Sequence, residues 1–201
     1  MKMIICNSLK KLFTKKPLND IEQFWLLPKK KKSHTQEERY TDSPEYIKKF
    51  IRLGGGSKMG TTLEHFAKHR FKNLKKRNNE VFQSGYDHII KFKNKEFRVE
   101  QKSSGYWDHH KKNDFKWQHI EENHNWDLLL LCGIDYTDLN FWVMDRKTFI
   151  TLICENKITN QGNKGGNSSQ GKWCWYSDIK DHLNPIHDDD QLLHFLEVLC
   201  E

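Results

Sequence analysis

The clearest alternation of hydrophobic and polar positions lies between residues 86 and 103, where two runs rich in β-branched and aromatic residues flank a short polar turn. Asn94 and Lys95 suit the two central positions of that turn, and we expect a two-stranded hairpin around them. This turn places Asp87 directly opposite Lys102, near the open end of the hairpin.

Side chains of the hairpin divide between two faces, because directly paired residues, and residues two apart along a strand, point the same way. Asp87, Glu100 and Lys102 therefore share one face. The opposite face is apolar and is expected to pack against helices; it carries Ile90, Phe92, Phe97 and Val99. A slip of one residue in the register would remove Asp87 from the cluster.

The remaining pattern alternates helices and strands. The apolar block Leu128–Leu131 is typical of a central strand buried on both faces, and the run 140–145 indicates a partner strand. Apolar spacing predicts helices over residues 17–27, 43–53, 60–77, 113–125, 146–157 and 188–201. We expect an α/β fold with a mixed central sheet flanked by helices. The helix 113–125 would connect the second hairpin strand to a parallel strand at 127–134.

The chain of 201 residues suits one domain with an extension. Residues 1–42 are lysine-rich and are expected to form a basic N-terminal arm with a short helix, whereas residues 43–201 are expected to form a single domain. The stretch 161–172 is rich in Gly, Asn and Ser and is expected to be a flexible loop. Trp173, Trp175 and Tyr176 follow it and are expected to pack within the sheet.

Composition favours a polyanionic partner. Lys and Arg number 34 against 27 Asp and Glu, which gives a net charge of +7 and a pI near 9.0. Nucleic acid is the first candidate, although many soluble proteins are equally basic. The five cysteines form no C-x-x-C pair, which disfavours a disulfide framework or a zinc ribbon. Cys132 and Cys154 lie in apolar runs and are expected in the core.

No apolar run approaches the roughly 20 residues of a membrane span, and the N-terminus lacks a signal-peptide core. We therefore expect a soluble, cytoplasmic protein with no membrane partner.

The acid–lysine cluster has a chemical interpretation. Adjacent carboxylates repel each other unless a charge neutralises them, and Mg²⁺ does so with one or two carboxylates, several waters and a phosphate. A lysine beside such a site can orient the attacking water or stabilise the charge of the transition state. The simpler alternative is a surface salt bridge between Asp87 and Lys102, with Glu100 solvated.

These residues resemble the PD-(D/E)XK nuclease superfamily, and within it the type II restriction endonucleases. The resemblance rests on "GYD" at residues 85–87 and "VEQK" at residues 99–102, and it covers about residues 60–155. It implies a restriction-endonuclease-like core and Mg²⁺, which Mn²⁺ can replace, held by Asp87, Glu100 and the backbone carbonyl of Gln101. Lys102 is the implied catalytic lysine. Tyr86 stands where the family name has Pro.

The resemblance also implies an acid on the preceding helix, and Glu64 is the matching residue. Thr61 and Glu64 have the spacing of a capping box, so a purely structural role for Glu64 stays open.

Contacts to DNA are expected from the segment after the catalytic strand and from the flexible loop. Amides suit adenine edges, and lysines suit guanine or phosphate. The candidates are Lys58, Ser103, Ser104, Trp107, His109, His110, Lys111, Lys112, Asn163, Lys164, Asn167, Ser168, Gln170 and Lys172.

The resulting hypothesis is a Mg²⁺-dependent, sequence-specific endonuclease of double-stranded DNA that leaves 5′-phosphate and 3′-hydroxyl ends. Cleavage of both strands of a palindrome implies a homodimer. A structure-specific or repair nuclease of the same fold and a non-catalytic DNA-binding protein are the alternatives. A ββα-metal nuclease, with His88 or His109 as base and Asn113 or His124 on a helix, is a further one.

Overall fold

The computed structural model describes residues 19–26, 37–53, 55–77, 85–161 and 171–201. The helices are α1 (Asp20–Trp25), α2 (Glu45–Ile51), α3 (Gly56–Arg70), α4 (Arg146–Cys154), α5 (Tyr176–Ile179) and α6 (Asp189–Cys200), with 3₁₀ turns at Glu37–Tyr40 and Lys180–His182. The strands are β1 (Lys75–Lys76), β2 (His88–Phe92), β3 (Lys95–Ser104), β4 (Tyr106–His109), β5 (Lys112–Ile120), β6 (Leu128–Ile134), β7 (Leu139–Asp145), β8 (Thr159–Asn160), β9 (Lys172–Trp175) and β10 (Asn184–Ile186).

The strands form two sheets, and the fold is mixed α/β as predicted. The larger sheet has six strands in the order β1-β2-β3-β6-β7-β10, and the smaller has four in the order β4-β5-β9-β8. In the larger sheet β3 and β6 run parallel, whereas the other neighbouring pairs run antiparallel. The central sheet is therefore mixed, as predicted.

None of the helices in the described ranges is long and apolar enough to span a membrane.

The hairpin turn lies one residue earlier than predicted. Phe92 pairs with Lys95 and His88 with Val99, so the turn residues are Lys93 and Asn94. Moving a two-residue turn by one position shifts each partner by two residues, and two residues is the period of side-chain direction in a strand. The two faces of the hairpin are consequently unchanged, although Asp87 is level with Glu100 rather than with Lys102.

The predicted helix 113–125 is wrong. This segment forms β5, which pairs with β4 on one side and with β9 on the other. Its apolar residues Phe115 and Trp117 are buried and alternate with Lys116 and Gln118, so a period of two describes them as well as a helical period does. The parallel pairing of β3 with β6 is confirmed, but the β4–β5 hairpin, not a helix, makes the connection.

The helix that carries Glu64 also differs from its prediction. It begins at Gly56, is capped by Gly55, and ends at Arg70, so Lys75 and Lys76 lie on an edge strand instead. Thr61 lies inside the helix, exposed, and the predicted capping box with Glu64 is wrong. The other predicted helices are confirmed with shorter bounds, and α1 begins with a capping box between Asn19 and Glu22.

The hydrophobic core lies on both faces of the six-stranded sheet. All seven residues of β6 are buried, as predicted for a central strand. Leu128 and Leu130 pack with α2 and α3, while Leu129 and Leu131 pack with β5 and α4. Cys132 is buried as expected, but Cys154 is exposed because it lies on the outer side of α4. On α6, Leu192 and Leu196 are buried whereas Leu199 is 39% exposed.

Residues of the predicted N-terminal arm contribute to this core. Ile21, Phe24 and Tyr40 are almost fully buried in the same cluster as α2 and α3. The predicted boundary at residue 42 stays a prediction.

Asp127 fixes the start of the parallel β3–β6 pair. Its carboxylate accepts hydrogen bonds from the backbone N–H of Arg98 at 2.8 Å and from the Arg98 guanidinium at 2.8 and 2.9 Å. Its own N–H donates to the Arg98 carbonyl at 2.8 Å, and its carbonyl accepts from Arg146 N at 3.0 Å. Burial acts to raise the pKa of Asp127, but the Arg98 hydrogen bonds and charge outweigh it and hold the pKa below its usual range.

We predict that Asp127→Asn lowers the free energy of unfolding by about 1–2 kcal/mol at neutral pH, because a charge-assisted pair is lost at a partly screened site. Since the folded pKa is depressed, the wild-type advantage exists above the ordinary value of 3.8 and disappears as pH falls through the folded value. Urea unfolding at about pH 7 and about pH 2 measures the difference. Asp181→Asn, at an exposed position, is the control. A pH-independent difference would contradict the ion pair.

Candidate active site

Asp87 is positioned by the backbone of the hairpin. Its N–H donates to the Val99 carbonyl at 2.9 Å, and its Oδ2 accepts from the Gln101 N–H at 2.8 Å. Gly85 precedes it with φ +69°, and a Cβ at Gly85 would lie 2.5 Å from the Cβ of His124. The approach to Asp87 therefore requires glycine at this position, which gives the "GYD" segment a structural reason.

Glu100 and Lys102 point to the same side of β3, and the Lys102 Nζ donates to Glu100 Oε1. Both side chains are largely shielded, with exposed fractions of 9% for Glu100 and 21% for Lys102. A solvated salt bridge would leave both groups in water. The pair is instead an ion pair in a site of reduced polarity, level with Asp87.

Burial and neighbouring charges raise the pKa of Glu100 to about 7. Burial is the largest cause, the charges of Asp87 and Glu64 add to it, and Lys102 opposes it. The pKa of Glu64 is raised as well, first by burial and then by Asp87, while Lys68 and Lys102 act to lower it. Three carboxyl groups thus interact electrostatically, and the lysine offsets only part of their repulsion.

The cluster lies at a cleft of about 630 Å³ between the first turns of α3 and the strands β3, β4 and β5. Glu64, Asp87 and Lys102 line this cleft. Glu100 lines a smaller cavity of about 380 Å³ on the other side of Asp87, together with Arg77 and His124. Because Asp87 borders both cavities, it stands between the two openings. With the capping box absent, the position of Glu64 in the cleft has no competing role as a helix cap.

The carboxylates suit a cation whose coordination is completed by water and substrate. Within the described residues, no group of three or more His, Cys, Asp and Glu side chains is arranged to hold a metal ion by itself. Mg²⁺ needs only one or two carboxylates when a phosphate supplies further oxygens. Asp87 and Glu100 supply two carboxylates that interact electrostatically. The contact that Gln101 makes with Asp87 uses its N–H, and the predicted role of its carbonyl stays a prediction.

The predicted DNA-contacting residues differ in their surroundings. Lys58 is exposed near the start of α3, and His110, Lys111 and Lys112 are at the β4–β5 turn. Ser104 is 2% exposed and its hydroxyl is used inside the protein, donating to the Gly105 carbonyl at 2.6 Å and accepting from Lys116 N at 3.0 Å. Residues outside the described ranges are Asn163, Lys164, Asn167, Ser168 and Gln170.

The other predicted contacts lie on the second sheet or beside the cluster. Trp107 is 41% exposed and, with Ser103, lines the cleft. Lys172 pairs with Glu122 at 3.2 Å. His109 stacks on Trp175 with ring centroids 4.0 Å apart, and its Nδ1 is 3.4 Å from Asp114 Oδ2.

The arrangement that a ββα-metal nuclease requires is absent from the described residues. His88 is fully buried, with its Nε2 2.8 Å from Gln101 Oε1. Asn113 lies on β5, not on a helix, and its amide contacts the Tyr136 hydroxyl. His124 follows β5 in a turn.

Sequence reasoning missed Lys116 and Gln118, which also line the cleft. The alternation of Lys116 and Gln118 with Phe115 and Trp117 was the available signal, and assigning a helix to this segment concealed it. Trp173 and Trp175, expected as packing residues, are only partly buried and lie beside Lys116.

We predict that Glu100→Gln stabilises the protein in the presence of a chelator at alkaline pH. The ordinary pKa is 4.5 and the folded pKa is about 7, so ionising Glu100 costs the wild type up to about 3 kcal/mol as pH rises across that window. Gln resembles the protonated acid and avoids this cost. Urea unfolding at about pH 5 and about pH 8 should show the variant gaining only at the higher pH.

Glu96→Gln is the matched control, because Glu96 lies on the same strand with 49% of its side chain exposed. An equal gain for Glu100→Gln at both pH values would show that the burial of this carboxylate does not govern its ionisation.

Comparison of the chain with protein-family models, with curated proteins and with solved structures finds no match in any of the three.

Proposed function

We propose that the chain is a Mg²⁺-dependent endonuclease that hydrolyses DNA phosphodiesters to 5′-phosphate and 3′-hydroxyl ends. The observation that carries the proposal is the cluster of Asp87, Glu100 and Lys102 on one face of the hairpin in a basic protein, with Asp87 and Lys102 lining the cleft. In fuller form, the proposal is a type II restriction endonuclease that cuts double-stranded DNA at a specific sequence as a homodimer. Its fold would then be a variant of the restriction-endonuclease core.

Each residue has a role that its environment supports. Asp87 and Glu100 would hold Mg²⁺, which supplies positive charge to the scissile phosphate and lowers the pKa of a bound water. Lys102 is held beside Glu100 and would orient the attacking water and stabilise the charge that develops on the phosphorus oxygens. Glu64 faces the same cleft and would hold a further water near the metal.

The competing explanation is that the cluster only stabilises a DNA-binding protein. The raised pKa values of Glu64 and Glu100 argue against it, because neighbouring buried carboxylates weaken a fold unless a ligand compensates them. The hairpin also carries an ordinary surface pair for comparison. Lys91 and Glu96 are 3.7 Å apart with exposed fractions of 78% and 49%.

We predict that Glu100→Gln and Lys102→Ala each lower Mg²⁺-dependent DNA cleavage by at least about 100-fold, because each removes charge stabilisation in the transition state. DNA binding measured in the presence of a chelator should stay within about threefold of wild type. The matched controls are Glu96→Gln and Lys91→Ala on the same hairpin, which should cut normally. Normal cleavage by the Glu100 and Lys102 variants would refute the assignment of this site.

The restriction-enzyme form has its own test. Unmethylated linear plasmid incubated with protein and Mg²⁺ should yield discrete bands whose sequenced ends share one motif, with Mn²⁺ supporting the same pattern. Base readout at fixed groove positions produces such bands, whereas a nuclease that recognises DNA shape leaves fully paired plasmid uncut or cuts it without a shared motif. The latter result would favour the structure-specific alternative.

A further inference from the structure

The smaller sheet presents an aromatic and basic face to solvent. Register places Trp107 of β4 level with Asp114 of β5, and Lys116 of β5 level with Trp175 of β9. Since residues two apart share a face, the side chains form one surface, which we call the aromatic face. Its members are Trp107, His109, Lys116, Trp173 and Trp175.

Lys116 lies among three indole rings. Its Nζ is 4.4 Å from the ring centroid of Trp173, 5.3 Å from that of Trp175 and 5.9 Å from that of Trp107. No ion pair joins Lys116 to a carboxylate in the part of the chain that the structure describes. The rings attract the ammonium group but do not neutralise it, so its charge is available to an anion.

Stacking and hydrogen bonds hold several side chains of the aromatic face in place, and the carboxylate of Asp114 on the same face takes part. His109 stacks on Trp175 with an interplanar angle of 7°, and the buried carboxylate of Asp114 lies against His109 and accepts from the Ser177 hydroxyl at 2.6 Å. The Trp173 indole donates to the Asn160 carbonyl at 3.1 Å. Rings fixed in this way lose little entropy when a flat ligand stacks on them.

An irregularity in β5 directs further polar groups towards the cleft. The pairing of β5 with β9 shifts between Trp117 and Ile120, and His119 has φ +57°. Gln118 and His119 lie within this irregularity and line the cleft. Local bulges commonly re-aim side chains beside functional sites, and a glutamine amide can pair with the edge of a base.

The aromatic face is continuous with the candidate active site. Trp107, Lys116, Gln118 and His119 line the same cleft as Asp87 and Lys102. Aromatic side chains on neighbouring strands of a sheet form a surface on which successive bases of an unpaired strand stack. The bases of a regular duplex are stacked on one another and offer no free face to such a surface.

We propose that the aromatic face binds unpaired nucleotides of a DNA strand whose backbone enters the cleft lined by Asp87 and Lys102. A base stacks on Trp107, Lys116 contacts the adjoining phosphate, and Gln118 faces the edge of a base. The part of this statement that concerns cleavage rests on the proposed nuclease function, whereas strand binding does not. Combined with the proposed nuclease function, this strand binding implies a substrate with unpaired nucleotides beside the cut, as at a flap, bubble or junction. It therefore favours the structure-specific form of the nuclease over the restriction-enzyme form.

The test is binding of fluorescein-labelled oligonucleotides of about 12 nucleotides, single-stranded or duplex with the same sequence, in the presence of a chelator. Wild type should prefer the single strand. Trp107→Leu should weaken single-strand binding about tenfold, as expected for the loss of one stacked base, while duplex binding changes by less than about twofold. Trp107→Phe retains a ring and should keep most of the affinity.

Lys116→Gln gives a second, independent reading. It should weaken single-strand binding. It should also reduce the slope of log binding constant against log salt concentration by about one, as expected for the loss of one phosphate contact. Ile150→Ala is the control for Trp107, because Ile150 is an exposed hydrophobic residue with the same exposed fraction of 41%. Lys147→Gln on α4 is the control for Lys116. Thermal unfolding confirms that each variant is folded.

Unchanged single-strand binding by Trp107→Leu, or an equal loss on single strand and duplex, would overturn the proposal. The result is separable from the nuclease test, since no metal and no cleavage is involved. Selective loss of single-strand binding alongside normal cutting by Glu100→Gln would support the aromatic face and refute the catalytic cluster. The reverse pattern would refute only the aromatic face.

Discussion

The parallel pairing of β3 with β6 is the constraint on which the rest of the structure depends. β6 is buried along its whole length, so its position in the core is determined by apolar burial on both faces. β3 runs beside it from Val99 to Ser104, and the hydrogen bonds between Asp127 and Arg98 set where the pairing begins. The most hydrophobic strand therefore determines where the polar residues Glu100 and Lys102 are held.

That position has an electrostatic cost. Glu100 lies on the face of β3 that adjoins Leu129, with only 9% of its side chain exposed, and Asp87 is level with it on the hairpin. The pKa of Glu100 is raised to about 7 because ionising this carboxyl group in its buried position is unfavourable. Lys102 offsets part of the repulsion, and backbone hydrogen bonding to Asp87 keeps the second carboxylate in place. Neighbouring carboxylates with strongly raised pKa values are typical of sites that bind a charged ligand.

The sequence was sufficient to predict which side chains share a face of the hairpin, but it was insufficient to predict the position of the turn. Alternation determines direction with a period of two, so a turn misplaced by one residue left Asp87, Glu100 and Lys102 together. The burial of β6 was equally predictable, because four consecutive leucines suit no exposed strand. Local pattern could not decide between a helix and a strand for residues 112–120, since both periods fit it and one of the partner strands, β9, lies far along the chain.

The same error concealed the second half of the site. Assigned to a helix, Lys116 and Gln118 point in unrelated directions; on β5 they lie on the face of Trp107 and border the cleft. The predicted capping box of Thr61 and Glu64 was wrong for a related reason, because that spacing is a cap only where a helix begins, and α3 begins five residues earlier at Gly56. Such start points depend on tertiary contacts, which periodicity does not encode.

The two halves of the site are joined along one continuous segment. β3 ends at Ser104 and β4 begins at Tyr106, so only Gly105 separates the strand of Lys102 from the strand of Trp107. Five residues span at most about 18 Å, which limits the distance between the Cα atoms of Lys102 and Trp107 to a few nucleotides of an extended strand. The Ser104 hydroxyl also accepts a hydrogen bond from Lys116 N of β5, which connects the second sheet to the first. A strand stacked on Trp107 and Lys116 would therefore be held at a fixed offset from Asp87 and Glu100, and the offset would select the phosphodiester that is cut.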